Sequence, residues 1–453
     1  MFCVIVYGLT KLFMGGVNML EIAVLLLFVG TLLTCVALDA SILIALVAGF
    51  FLLFFYGIYK KHNVREMLTL AFSGIKTVRN ILFNFVLIGV ITAVWRAGGT
   101  IPYIVYHATK ICSPEAMVLV CFLLCALISF LTGTAFGTSA TMGVICITIA
   151  NSMGIPILIS GGAVLSGAFW GDRCSPMSTS ALLISSLTKT NLFKNLMMMV
   201  RTSVVPFAVT CVVYALLGQG FESDFDIGTT QNVFSDNFSL HPVVIIPAVV
   251  IVLFSLFRVN VKITMSVSIV CGMLICAFVQ DIPFAEIMRM TVFGYTPEVP
   301  EVSALLSGGG MVSMANAFCI VLISACYSGM FEGTGLLHSV HDVLMKVSRK
   351  LTPFGGVFVT SILSSLVSCN QTLAIMLAHQ LCGDIEKDNE KMAYCLENTA
   401  VVMAPLVPWS IAATVPLSSI DAPSLCILTA CYLYLVPLWN LALNLLKKRR
   451  KNS

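Results

Sequence analysis

The chain has 453 residues, 58% of them hydrophobic and 10% charged, with a formal net charge of +4. That balance excludes an ordinary soluble globular domain, and basic residues scattered among short loops give no nucleic-acid-binding surface. The 17 cysteines lie mostly inside apolar runs with no C-x-x-C pair, so they read as small buried hydrophobes and not as a disulfide framework.

The hydropathy pattern predicts an all-α polytopic membrane protein of roughly 11 to 13 transmembrane or re-entrant segments. Residues 1–20 lack a basic stretch before their apolar run, and Lys11 falls in its middle. With no A-x-A-like cleavage site following, they read as an N-terminal extension or interfacial segment and not as a signal peptide. A first transmembrane half is set at 21–220, with Ala40–Tyr59 and Thr202–Phe221 as clear uncharged runs. Lys60, Lys61, Arg65, Lys76 and Arg79 are assigned to one loop, and Lys189, Lys194 and Arg201 to another. Both should face the cytoplasm by the positive-inside rule. Arg96 closes an apolar stretch and is expected to snorkel to the interface, with an anionic substrate as the other reading.

Ala116 to Gly171 contains no charged residue and no histidine. Within it, Thr132, Thr134, Ser139 and Thr141 surround Gly133 and Gly137. Glycine lets the backbone leave a helix, and freed carbonyls with hydroxyl oxygens are hard ligands of the kind alkali cations accept. Helix–helix packing through small residues is the competing explanation. The run ends in Asp172 and Arg173, followed by Ser175, Pro176, Ser178 and Thr179. An acid and a base at membrane depth are costly and mark an ion or substrate path, and broken backbone there is tolerable where it lines a cavity. A carboxylate can hold a proton or a cation, which couples the two by competition. Arg173 would either hold Asp172 charged or turn away to the interface.

An acidic segment, 221–240, holds Glu222, Asp224, Asp226 and Asp236 with no Lys or Arg and is placed outside. The second transmembrane half is set at 241–446. Arg258 with Lys262, and Lys346 with Arg349 and Lys350, mark further cytoplasmic loops, and the tail 447–453 begins K-K-R-R-K. The run Val302–Phe331 carries Gly308, Gly309 and Gly310 and is expected to break or re-enter. Asn370, Gln371 and Thr372 interrupt another apolar run. Glu397 and Asn398 open the next, where Glu397 would cap a helix N-terminus or join the site. Pro405, Pro408 and Ser410 interrupt it in turn. His379 lies deep in an apolar run, where it would pack or relay protons. Each half thus has a polar interruption followed about 35 to 45 residues later by a Pro-bearing break, the pattern of inverted repeats with broken helices at the membrane midplane.

The chain resembles the NhaC-type Na+/H+ antiporter family of the ion-transporter superfamily, from about Asp39 to Leu446. The resemblance rests on Gly99–Pro102 (G-T-I-P), Thr132–Val144 (T-G-T-A-F-G-T-S-A-T-M-G-V), Ser166–Ser178 (S-G-A-F-W-G-D-R-C-S-P-M-S), Asn370–Met376 (N-Q-T-L-A-I-M) and Leu396–Ser410. It implies exchange of external protons for internal sodium, with some relatives moving organic anions such as malate against lactate. The family's Gly-Asp-Lys/Arg-x-Ser-Pro motif is matched by Gly171, Asp172, Arg173, Ser175 and Pro176. Two family acids are neutral here, at Thr179 and Asn398, and Leu182 stands where the family has Asn. These departures bear on sodium coupling, stoichiometry and substrate.

The sequence therefore reads as a secondary antiporter of the plasma (inner) membrane with a cytoplasmic C-terminus. Its partners would be Na+, H+ and the lipid bilayer; it needs no cofactor, and a homo-oligomer is left open. Asp172 is the leading cation ligand, with Thr132, Thr134, Ser139, Thr141, Arg173, Ser175, Ser178 and Thr179 around it. Asn370, Gln371, Thr372, Glu397, Asn398 and Ser410 would complete the site from the second half. A carrier of a small organic anion or amino acid is the alternative, with Arg173 as carboxylate partner. An intramembrane hydrolase would need a second carboxylate sharing a proton, for which only Glu397 is available, and no G-x-S-x-G elbow occurs.

Overall fold

The computed structural model describes residues 23–24, 27–28, 30–32, 34–35, 42–111, 113–220, 227–257, 259–334, 352–383 and 385–452. Segment 1–20, the acids Glu222, Asp224 and Asp226, and the bases Arg258, Lys346, Arg349 and Lys350 lie outside the described residues. Apart from one isolated bridge between Tyr295 and Gly308, the regular elements among the described residues are helical.

The first half runs α1 (Ile42–Tyr59), α2 (Val64–Ala97), α3 (Thr100–Ile111), α4 (Pro114–Thr132), α5 (Ala135–Thr138), α6 (Val144–Ser152), α7 (Ile157–Cys174), α8 (Thr179–Thr188) and α9 (Leu192–Gly218). A π-helical turn, Ser139–Gly143, joins α5 to α6. A helix α10 (Ile227–Asn237) forms inside the acidic segment. The second half runs α11 (Ile246–Leu256), α12 (Val261–Phe278), α13 (Phe284–Phe293), α14 (Pro300–Leu306), α15 (Ala315–Thr334), α16 (Pro353–Ser368), α17 (Gln371–Cys382), α18 (Asn389–Asn398), α19 (Ala400–Met403), α20 (Ile411–Ser419) and α21 (Cys431–Asn452).

Interruption is the rule in this bundle. Among the described residues, four helices are long and apolar enough to cross a membrane unaided, and two further spans are bent pairs. In one, α2 turns 65° into α3; in the other, the α18–α19 segment turns 57° into α20. The first bend is set by Gly99, whose φ of +77° suits glycine. The predicted break at Gly308–Gly310 is present, with φ of +120°, +74° and +82°. Side chains there would strike Arg96, Ala93 and Gly294.

Two placements differ from the sequence reading. Arg65, Lys76 and Arg79 lie on α2, Lys194 and Arg201 on α9, and Lys262 on α12, not in loops. Hydropathy marks the apolar stretch of a helix but not its ends. At ~1.5 Å per residue, the 34 residues of α2 outrun the ~30 Å hydrocarbon layer and carry their basic residues beyond it. Arg96 is not a snorkelling side chain either: its Nη2 lies 3.1 Å from Asp421 Oδ2, and its Nη1 donates to the Ser307 carbonyl.

The polarity of the molecule is that of a lipid-immersed bundle. Phe55, Phe72, Phe193, Val212, Leu216 and Phe278 point outward, a continuous apolar exterior that a soluble protein avoids. Ser129, Ser166, Arg173, Glu397, Asn398 and Asn440 are buried. The most extensive helix contact is between α4 and α7, through Gly167 and Gly171, a G-x-x-x-G pair. A Cβ on Gly167 would strike the Phe122 carbonyl, and one on Gly171 the Ala126 carbonyl and the Phe130 amide. Small residues at this spacing let membrane helices approach backbone to backbone, and here they bring Asp172 and Arg173 hard against α4. Gly171→Leu should lower stability by about 1–3 kcal/mol or more, the usual result of overpacking. Thermal unfolding of the detergent-solubilised protein checks this; an unchanged midpoint would disprove the packing argument.

Candidate functional site

Two helix ends meet inside the bundle. Asp172 and Arg173 occupy the last turn of α7, and Glu397 and Asn398 the last turn of α18. Both helices stop for local reasons. The chain turns extended at Ser175, just before Pro176, and at Thr399 it adopts φ −130° and ψ −75° before α19 begins. Glu397 therefore does not cap a helix N-terminus; that role on α18 belongs to Asp388, which accepts from the Glu390 and Lys391 amides. A helix C-terminus carries about half a negative charge, so neither acid gains from its own helix. Two C-termini and two carboxylates together make a strongly cation-attracting spot.

Arg173 is fully buried and bridges the two ends. Its Nε donates to the Glu397 carbonyl at 2.9 Å and its Nη1 to Tyr432 Oη at 2.8 Å. Its Nη2 donates to Asn398 Oδ1 at 2.8 Å and to Thr202 Oγ1 at 3.3 Å. A guanidinium has five N–H donors, so the protein already occupies most of them. Arg173 makes no ion pair with Asp172 and does not reach the interface, which differs from both sequence expectations. The Ser178 hydroxyl lies 2.8 Å from Ser180 Oγ and accepts from the Ala181 amide, capping α8 in the loop that follows Asp172.

Glu397 is wholly inaccessible, and both its carboxylate oxygens lack a hydrogen-bond partner. It lies within the electrostatic field of both Asp172 and Arg173. A buried polar group with no partner is rare and calls for an explanation. Glu397 and Asp172 share no hydrogen bond, whereas the carboxylates of an aspartyl dyad share a proton.

The other predicted residues fall into three groups. Ser175 is buried and accepts from the Met177 amide, beside Gly133, where a Cβ would strike Met177. The α4–α5 break thus abuts the loop after Asp172. Thr132 pairs with Thr138 at 3.3 Å, and Thr134 caps α5. Thr134 also lines a cavity of about 60 Å³ with Asn84, Gly137, Met265 and Val415, into whose wall the unpartnered Asn84 Oδ1 is set. Ser139 and Thr141 are bonded to carbonyls of their own helix, Ala135 and Gly137.

In the second half, Asn370 caps α17, Gln371 Nε2 donates to the Val401 carbonyl at 2.9 Å, and Ser410 caps α20. The Ile411 amide donates to the Cys369 carbonyl, so the two breaks of this half also meet. Thr179 and Thr372 are exposed and stand apart from the buried centre.

Sequence reasoning missed Tyr432, Thr202, Asn440 and Tyr394. Asn440 Nδ2 donates to Asn398 Oδ1 at 3.0 Å, and Tyr394 Oη donates to Asn440 Oδ1 at 2.9 Å. The available signal was Asn440 with Asn444, two amides at i,i+4 in an otherwise apolar run.

An apolar exterior, interrupted helices and a buried charged centre are the features of a multi-pass membrane transporter. The chain belongs to the Na+/H+ antiporter family, whose sequence model matches residues 4–189 and 171–439. It is 26% identical over 392 residues to the malate-2H(+)/Na(+)-lactate antiporter of Bacillus subtilis, covering 83% of this chain and 82% of that protein. It is 25% identical over 417 residues to the Na(+)/H(+) antiporter NhaC of Alkalihalophilus pseudofirmus, covering 89% and 87%. The arginine/ornithine antiporter ArcD of Halobacterium salinarum is 25% identical over 364 residues, covering 76% and 74%.

Tyr432→Phe removes an acceptor from a buried cation and should cost about 1.5–3 kcal/mol, whereas Thr100→Val breaks one neutral bond, to the Val244 carbonyl, and should cost about 1 kcal/mol. Unfolding of the two variants side by side tests the ranking; equal losses would contradict it.

Proposed function

We propose that this protein is a secondary antiporter of the plasma membrane, exchanging Na+ for H+ by alternating access. Asp172 and Glu397 are the carboxylates for which the two cations compete. Hydroxyls near the break at Gly133 and the loop carrying Ser175 and Ser178 supply further oxygen ligands. The observation that carries this reading is the buried Glu397 carboxylate with neither oxygen partnered, within the electrostatic reach of Asp172. Half-helix C-termini and unwound carbonyls suit a cation at a transporter midplane. The basic tail and the turn at Lys60 and Lys61 would face the cytoplasm, and the breaks at 133–143 and 399–410 would be the hinges of the access change.

The organic-anion reading draws support from the name of one relative, the malate-2H(+)/Na(+)-lactate antiporter, but Arg173 has most of its donors engaged by the protein and is poorly placed to clamp a carboxylate substrate.

Proteoliposomes holding a pH-sensitive dye and an imposed proton gradient test the proposal. Na+ or Li+ should dissipate the gradient in the wild type, and Asp172→Asn or Glu397→Gln should fall to the level of empty liposomes. A folded wild type that ignores Na+, Li+ and K+ but responds to malate or lactate would replace this reading with the organic-anion carrier.

A further inference from the structure

We propose that Ser364 and Ser365 of α16 are Na+ ligands, so that a third helix joins α7 and α18 at the cation site. This extension of the site rests on the antiporter reading above.

Ser361, Ser364, Ser365 and Ser368 fall at i, i+3, i+4 and i+7 on α16 and share one face. All four are buried. Ser361 fixes the direction of that face, because its hydroxyl lies 2.8 Å from Thr399 Oγ1. Thr399 follows the last turn of α18, two residues beyond Glu397. The Thr399 hydroxyl spends its own hydrogen on the Cys395 carbonyl at 2.7 Å, so Ser361 is the donor of the pair. At the other end of the face, Ser368 donates to the Asn370 carbonyl at 3.1 Å. Between these two bonds, Ser364 Oγ and Ser365 Oγ are sealed from solvent and have no hydrogen-bond partner among the described residues. They lie ~4.5–6 Å along the axis from Ser361, about one helical turn.

Packing alone does not account for these oxygens. Small side chains let α16 lie close to α17, α18 and α19, but alanine does the same without burying an unsatisfied hydroxyl, which costs free energy. Two such hydroxyls side by side call for an explanation, and the electrostatics of the face point to a cation. The face runs from the end of α18, at Ser361, to the end of α16, at Ser368. Both ends are C-termini and carry partial negative charge, and the Glu397 carboxylate in the last turn of α18 has neither oxygen partnered. Helix C-termini and uncharged oxygens of this kind suit Na+ in a transporter. A proton is held by one oxygen, whereas Na+ stripped of water needs several. The two hydroxyls therefore serve the Na+ limb of the exchange and leave the proton to the carboxylates.

The test compares the full-length wild type with the double variant Ser364→Ala, Ser365→Ala. In proteoliposomes under a fixed proton gradient, the Na+ concentration giving half-maximal dissipation should rise about tenfold or more in the variant, the loss expected for a polar contact to a charged ligand. In detergent, with ionic strength held constant by choline, Na+ should raise the unfolding midpoint of the wild type by binding its folded state, and that of the variant by less. Without Na+ the variant should unfold no earlier than the wild type, because alanine removes an unsatisfied hydroxyl. Wild-type Na+ dependence of the variant in either readout overturns the inference and leaves antiport intact. Should the double variant not fold, each single variant decides by the same readouts. A single variant that unfolds earlier than the wild type or does not fold also overturns the inference, since its hydroxyl then has a structural role. If Na+ neither drives proton movement through folded wild type nor stabilises it, the antiporter reading falls, and this inference with it.

Discussion

A guanidinium sealed from both water and lipid must find acceptors for its hydrogens within the protein, and that demand organises the centre of this molecule. Arg173 is delivered by the glycine-mediated contact of α7 with α4. From there it reaches the last turn of α18, the middle of α9 and the start of α21. Four helices distant in sequence are fixed relative to one another by one side chain. The acceptors are a carbonyl, a phenol, a hydroxyl and an amide, none of them charged. The carboxylates nearby are consequently left open, and Glu397 has no protein partner at all.

This distribution explains why the breaks matter more than the spans. An unbroken helix satisfies its own backbone and presents only side chains. Ending α7 and α18 inside the bundle exposes peptide ends beside the acids, and the π turn at Ser139–Gly143 and the cap residues Thr134, Asn370 and Ser410 repair the neighbouring interruptions. Hydroxyls that looked equivalent in the sequence therefore have different work. Ser139 and Thr141 satisfy their own helix, Thr134 and Ser178 each cap one, and Thr202 accepts from Arg173.

The fold class was legible because a bilayer forces apolar runs of fixed minimum length, and the interruptions at Gly133, Asp172–Pro176, Gly308–Gly310 and Asn398–Ser410 stood out against them. Helix ends were not legible: α2 and α9 continue past their apolar stretches because charged residues at the interface do not stop a helix. At the site, Asp172, Arg173 and Glu397 were visible as charges where charge is costly. Their geometry was not. The direction in which Arg173 points depends on Tyr432 and Asn398, more than 220 residues away by the spacing of the bonded pairs, and no local pattern encodes that. The Gly167–Gly171 pair was in plain view, yet its meaning depends on which helix lies opposite.

The sign of the site is written twice, once in side chains and once in chain direction. Carboxylates can be exchanged one residue at a time. The partial negative charge at the ends of α7 and α18 belongs to the peptide groups, and it persists for as long as the chain enters the centre from the same side. Evolution or an engineer can therefore retune how strongly this centre holds a cation by ordinary substitution. Turning it into a centre for a bare anion would have to overcome the direction of those two helices as well as the side chains.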